Sequence, residues 1–286
     1  METPKKEKDK EIAALKAEIK KLRKALDELT PSLEIMLKRR GFRIYRKEPS
    51  DDLLIPSEEF IGGYYEMLTK YSFRLFLRDI IKHQPLFTPA QVTRYATKEV
   101  TEHYIEYLMG IDLLERRGGS YALKKGPIKS FGETLEWFAA ELFKREFSAE
   151  AIWGIKMKRP LVGGDYDLIA KIDGSILYME VKSSPPKQIY QTEITEFFNR
   201  VYDLMPGIAI FFVDTELRMK DKMAPMFGDE LGRRFPDPPE VKRMEKELFE
   251  IQAAERSTPV VFIINAKDSI AANIGKVLAR YLKEKS

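Results

Sequence analysis

Cysteine is absent, and histidine occurs only twice, at His83 and His103. The first absence excludes disulfides and thiolate zinc centres, and fits a reducing compartment. The second leaves little basis for an imidazole-rich metal site or a Ser-His-Asp mechanism. Each histidine is read as a packing or surface residue. No apolar run reaches the roughly 20 residues of a membrane-spanning helix. The N-terminus lacks the charged, apolar and small-residue pattern of a secretory leader. A soluble, cytoplasmic protein with no membrane partner is therefore expected. Excess charge of one sign is also lacking: the formal net charge is only +4. That permits nucleic-acid contact without demanding it. Repeats and long low-complexity tracts are missing too. What is present is a chain of 286 residues with 44% apolar content, enough for two domains plus an appendage.

The most informative segment is Gly163–Ser184. Asp173-Gly174 sits between two β-prone runs, which is a strong hairpin signal. With Asp173 and Gly174 as the loop, Ile172 pairs with Ser175, and counting back sets Asp167 opposite Glu180. Glu180 and Lys182 are two residues apart on one strand, so they share a face with Asp167. Directly opposed like charges destabilise a hairpin. A divalent cation between the carboxylates turns that repulsion into ligation, as hard ions such as Mg²⁺ take oxygen ligands. Lys182 beside them would hold a phosphate oxygen or orient a water. The pattern points to metal-assisted attack on a phosphodiester. Asp165 faces Lys182 in the same register, and is read either as its ion-pair partner or, with a longer turn, as the metal ligand in place of Asp167.

Asp167, then Glu180-Val181-Lys182, resembles the PD-(D/E)XK nuclease signature, found in restriction endonucleases and Holliday-junction resolvases. The resemblance covers roughly residues 130 to 215. It departs in having Tyr166, not proline, before Asp167. It implies an α/β fold: a restriction-endonuclease-like mixed sheet flanked by helices. It implies that Asp167, Glu180 and the Val181 carbonyl hold Mg²⁺ or Mn²⁺, and that Lys182 assists the attacking water. Family members often carry a further glutamate on the preceding helix. Glu136, spaced Gly132-x-x-x-Glu136, is the candidate here; a solvated helix glutamate is the bland alternative.

The flanks agree with an α/β sandwich. Ser130 and Glu133 read as a capping box, followed by Leu135, Phe138, Ala139, Leu142 and Phe143 on one helix face. Residues 187–203 read as a helix after Pro185-Pro186, with Ile189, Ile194, Phe197, Phe198 and Val201 buried. Gly207 to Val213 reads as a strand covered on both faces. Residues 239–252 read as a helix, Val260 to Asn265 as a strand, and 268–284 as a closing helix. Gln188 and Gln191 read as solvent-facing, although related nucleases use a polar residue there.

Residues 1–30 read as a coiled-coil helix. Ile12, Leu15, Ile19, Leu22, Leu26 and Leu29 alternate at a and d positions, which favours a parallel homodimer through residues 12–29. Glu11 and Glu18 would face Lys16 and Arg23 of the partner, and Thr30-Pro31 ends the helix. Residues 31–57 read as a connector: a short helix, Gly41, then a strand near Phe42 to Arg46. Residues 58–126 resemble a winged helix-turn-helix. Helices are expected at 72–83, from Thr88-Pro89-Ala90-Gln91 to near Ala96, and from Lys98 to Met109. A hairpin follows from Leu113 to Lys125, with Gly118-Gly119 at its tip. Arg116, Arg117, Lys124 and Lys125 make that wing basic and are candidates for nucleic-acid contact. The third helix, expected in the major groove, instead carries Glu99, Glu102 and Glu106. A protein partner at this domain is the equal alternative. Residues 127–286 form the nuclease-like domain. The leading reading is a metal-dependent DNA endonuclease. The alternative is a non-catalytic DNA-binding or scaffolding protein that keeps the nuclease fold as a platform.

Overall fold

The computed structural model describes residues 12, 14–22, 25–26, 30–158, 162, 164–251 and 259–285. After the N-terminal helical residues 14–22, the chain runs through α1 (Leu33–Arg39) and β1 (Arg43–Arg46). A helical unit follows, with α2 (Ile61–Thr69), α3 (Tyr71–His83), α4 (Pro89–Val92) and α5 (Lys98–Gly110), then the hairpin β2 (Leu114–Arg117) and β3 (Ser120–Leu123). The remainder runs α6 (Gly132–Phe147), β4 (Ala151–Lys158), β5 (Asp165–Ile172), β6 (Ser175–Lys182), α7 (Gln191–Leu204), β7 (Ile208–Val213), α8 (Met223–Arg234), β8 (Val241–Glu245), β9 (Leu248–Ile251), β10 (Val260–Asn265) and α9 (Ile270–Lys285).

Among the described residues, eight strands form one mixed sheet in the order β1-β4-β5-β6-β7-β10-β9-β8. The pairs β6–β7 and β7–β10 are parallel and the others antiparallel. Parallel neighbours need a crossover, and α7 supplies the first. Both faces of the sheet are covered, which is why β7 reads Ile-Ala-Ile-Phe-Phe-Val with every residue buried. On one face Leu168, Leu177 and Met179 pack with Leu135, Phe138 and Ile274 of α6 and α9. On the other, Ile169, Ile176 and Tyr178 pack with Phe197 and Phe227 of α7 and α8. The α/β architecture expected from the sequence is the one observed. No helix among the described residues is long and apolar enough to cross a membrane.

The hairpin forms in the expected register, from Ile172 opposite Ser175 to Leu168 opposite Met179. Asp173 and Gly174 turn the chain at φ 44° and 75°, the left-handed pair that a two-residue loop requires. Four expectations are corrected. The described part of 239–252 forms β8 and β9, not a helix: Leu248–Ile251 are all buried beside β10, and packing on both faces overrides the helix propensity of the Glu-Lys-rich stretch. The capping box at Ser130 is not made. Ser130 Oγ accepts from the Gly132 N–H at 3.2 Å, while Glu133 accepts from the Asp52 N–H at 2.9 Å. Residues 31–57 form the expected short helix and strand but do more than connect, since β1 is the edge strand beside β4 and Leu33, Leu37 and Phe42 enter the core. The helix begun at Pro89 ends at Val92, short of Ala96.

The helical unit is not a separate body. Tyr64, Phe73, Phe76 and Leu108 belong to the same apolar cluster as Leu135, Met179 and Ile274. An ion group reinforces the join: Asp214, after β7, is 0% exposed and meets Arg74 of α3 at 2.8 Å, with Arg78 on its other oxygen. At the N-terminus, residues 14–22 are helical. Ile12, Leu15, Ile19, Leu22 and Leu26 are all 47% to 62% exposed. Glu11, Arg23 and Leu29 lie outside the described residues.

Candidate active site at the hairpin

The alternation of β5 and β6 sets Asp167, Glu180 and Lys182 on the face that carries Ile169, Ile176 and Tyr178. One step beyond Leu168–Met179, Asp167 comes opposite Glu180. Its Oδ2 accepts the Val181 N–H at 2.7 Å, so the carboxylate takes over as acceptor where the ladder ends. Glu180 is only 2% exposed. Its carboxylate accepts from Arg200 Nη1 at 3.0 and 3.2 Å, and from the Tyr178 hydroxyl. Lys182 Nζ sits 2.9 Å from Glu180 and 3.1 Å from Glu193.

Glu136 reaches this region from α6. It can do so because β4 is bare at Gly154, which adopts φ +56°. A Cβ there would lie 2.3 Å from Pro49, and Glu136 Oε2 is 3.7 Å from that point. Glu136, Asp165 and Asp167 line a cleft of about 280 Å³ with Asp51, Asp52 and Glu133. Arg46, Lys129 and Lys156 are also in its walls.

The crowding has an electrostatic signature. Burial first, and then Glu180, push the Asp167 carboxyl up to about 8, against the pull of Lys182 and the Val181 N–H. Burial, followed by Asp167, Glu133 and Glu180, raises Glu136 well above the ordinary carboxylate range. Burial works against the charged form of Lys182, but Glu180 and Asp167 outweigh it and the ammonium is held more firmly than usual. Such acids gain from a cation that replaces their protons.

As a donor set, the site is all oxygen, which suits Mg²⁺ or Mn²⁺ and not zinc. Of the six carboxylates lining the cleft, Asp165 is tied to Lys156 and Glu133 to the Asp52 N–H, while Asp167 and Glu136 carry raised values and offer the one or two carboxylates a Mg²⁺ site commonly uses. Glu180 is turned to Arg200 and Lys182. Among the described residues, no group of three or more carboxylate or imidazole side chains is gathered to hold a metal. The residues thus fit a two-carboxylate site completed by a backbone carbonyl and water.

Other sequence candidates fall elsewhere. Asp165 pairs with Lys156 of β4 at 3.0 Å instead of with Lys182, because β4 and not β6 is its neighbour at the strand end. Gln191 donates to the Met226 carbonyl at 2.9 Å. The wing cations are engaged with the protein. Arg117 meets Glu115 at 2.6 Å and Lys124 meets Asp112. Lys125 donates to the carbonyls of Ser50 and Leu53 at 2.8 and 2.7 Å, and Arg116 to that of Gly118 at 3.3 Å. Three residues around the trio went unrecognised: Tyr178, Glu193 and Arg200. The signal for Arg200 was a charge between Phe197 and Val201, inside an apolar helix stripe.

No protein-family model matches the sequence, and no curated protein matches it. Solved structures that are similar at low identity include two that cover more than half of this chain. One is Can2 from Sulfobacillus thermosulfidooxidans in complex with cyclic tetra-adenylate, with TM-score 0.40, 16% identity, 62% of this chain and 49% of that chain covered. The other is protein VC1899 from Vibrio cholerae, with TM-score 0.40, 14% identity, 65% of this chain and 52% of that chain covered. The chain thus spans about half the length of each. Likeness at this level carries no functional argument.

Proposed function

We propose that this chain is a metal-dependent nuclease that hydrolyses phosphodiester bonds in DNA. The observation that carries the reading is the convergence of Asp167 and Glu136 in one acidic cleft, with their protons held unusually tightly. Lys182 is held by Glu180, the residue opposite Asp167, at 2.9 Å, and its charge acts on Asp167. The PD-(D/E)XK-like spacing of Asp167, Glu180 and Lys182 supports it. Asp167 and Glu136 would hold Mg²⁺ or Mn²⁺, with the Val181 carbonyl as a further oxygen donor, while Glu180, a ligand expected from the spacing, is turned to Arg200 and Lys182. When bound, the ion supplies Lewis-acid polarisation of the phosphate and a more acidic water. The Lys182 ammonium, steered by Glu180 and Glu193, neutralises charge developing on the phosphoryl oxygens. Arg200 holds Glu180 in place through charge-assisted hydrogen bonds. A homodimer through residues 12–29 would bring two such sites to two strands.

A second reading has an observation of its own. Both Glu180 oxygens are engaged by Arg200, as in a purely structural ion network. On that reading the protein binds DNA or partners without cutting. Incubation with linear, supercoiled and branched DNA, with Mg²⁺ or Mn²⁺, separates the two. Cleavage that needs the ion and falls at least 100-fold in Lys182→Ala is the expected result. Binding with no cleavage by the unaltered chain would favour the scaffold.

A further inference from the structure

A second cleft, of about 880 Å³, opens where α3 meets the ends of β6 and β7. Ser183 and Ser184, which directly follow Lys182, line it. Lys129 lines both this cleft and the acidic one. The two clefts thus meet at Lys129, and the larger one begins at the residues next to Lys182.

Its chemistry is that of an anion with hydrogen-bond donors. Lys82, Arg94, Lys129 and Lys187 line it, are exposed, and make no ion pair among the described residues. The wing cations contrast with them, being tied to Glu115, Asp112 and backbone carbonyls. Deeper in, Asp79 is 9% exposed and its Oδ2 has no hydrogen-bond partner. The neighbouring Arg78 Nε is also buried without one. A buried carboxylate oxygen left open in a cationic cleft calls for a hydroxyl or amino donor. Tyr95 is 46% exposed, with the Arg94 guanidinium over its ring at 5.2 Å. An aromatic face backed by arginine is a platform for a base. Free cations, an unfilled acceptor and a ring together describe nucleotide units. The volume admits a few nucleotides of one strand but not a double helix.

We propose that this cleft holds a single strand of DNA leading away from Lys182. Its phosphates lie on Lys82, Arg94, Lys129 and Lys187, a base on Tyr95, and a sugar or base donor on Asp79. The direction of the strand rests on the nuclease reading; its binding does not. The helical unit thus grips substrate from the flank of its first long helix, not through the third helix or the wing.

The test is fluorescence anisotropy of the full chain with a fluorescein-labelled single-stranded 15-mer in EDTA, where nothing is cut. Arg94→Glu with Lys187→Glu should weaken binding at least tenfold. It should also flatten the dependence of log affinity on log salt by about 1.4, for two lost phosphate contacts. Tyr95→Leu should weaken binding at least fivefold. Lys242→Glu with Lys283→Glu, the same charge change elsewhere, should leave it intact. Wild-type affinity in both cleft variants, or an equal loss in the control pair, overturns the proposal. Full displacement by a free mononucleotide at micromolar concentration also overturns it, because the site would then serve a small nucleotide. Absence of Mg²⁺-dependent cleavage by the unaltered chain sinks the nuclease reading while leaving the binding result standing. Cleavage of single strands by the Arg94→Glu, Lys187→Glu chain at the wild-type KM sinks the cleft alone.

Discussion

Replacing Asp167 with asparagine should make the metal-free protein more stable, and increasingly so as pH rises. The ordinary carboxyl value is 3.8, and in the fold burial and then Glu180 push Asp167 up to about 8. Between those values the folded chain holds a proton that the unfolded chain has released. A raised acid therefore contributes stability that is complete below about 3.8 and is lost as pH climbs to about 8. At about 1.36 kcal/mol per pH unit, the span sets an upper figure of about 6 kcal/mol. Water at the cleft and the nearby Lys182 ammonium reduce this to a few kcal/mol. Asparagine keeps an oxygen for the Val181 N–H and does not titrate. Its advantage should thus be near zero at pH 4 and a few kcal/mol at pH 8, roughly 5 °C or more in melting temperature. Thermal melts in EDTA from pH 4 to 8.5, for both chains, read this directly. Added Mg²⁺ should then stabilise the wild type and not Asp167→Asn. A variant that melts below the wild type at pH 8, or a difference that does not grow with pH, would refute the crowded-carboxylate argument.

Arg200→Met should cost about 3–5 kcal/mol, because Glu180 would remain buried with, among the described residues, Lys182 alone as cationic partner; an unchanged urea midpoint counts against that. Asp214→Asn should lower stability by a similar few kcal/mol, since Arg74 at 1% exposure would lose its carboxylate; equilibrium unfolding that is indifferent to the change would show the ion group to be idle. Leu15→Asp with Leu22→Asp should convert a dimer to a monomer in analytical ultracentrifugation. A wild-type chain that is already monomeric would remove the basis for a paired-site enzyme.

The hairpin was legible because its turn residues carry their own geometry. Asp-Gly at positive φ fixes the register, and register fixes which side chains share a face. The strand Ile208–Val213 was legible from an unbroken apolar run, since only a doubly covered strand needs one. The β8–β9 hairpin was not. Its turn is carried by Lys246 at φ 43°, a residue with no turn preference, so no punctuation marked it. The roles of Glu133 and Glu136 were half legible. Helical spacing brought Glu136 toward the sheet, but the tenant of Glu133 proved to be the Asp52 amide, 81 positions away in sequence. The Arg74–Asp214 pair, 140 positions apart, left no local trace, and neither did the larger cleft. Local pattern reports periodicity and turns, whereas such contacts exist only once layers are stacked.

The apolar cluster that runs without interruption from Leu53 to Tyr281 has a practical corollary for anyone dissecting this molecule. A fragment beginning near residue 127 would uncover Trp137 and Phe138, and the helical piece alone would leave Tyr64 and Tyr65 without those rings. Neither half should survive excision as a well-behaved domain. The seam that a motif-based division draws through the chain is, physically, the middle of one solid.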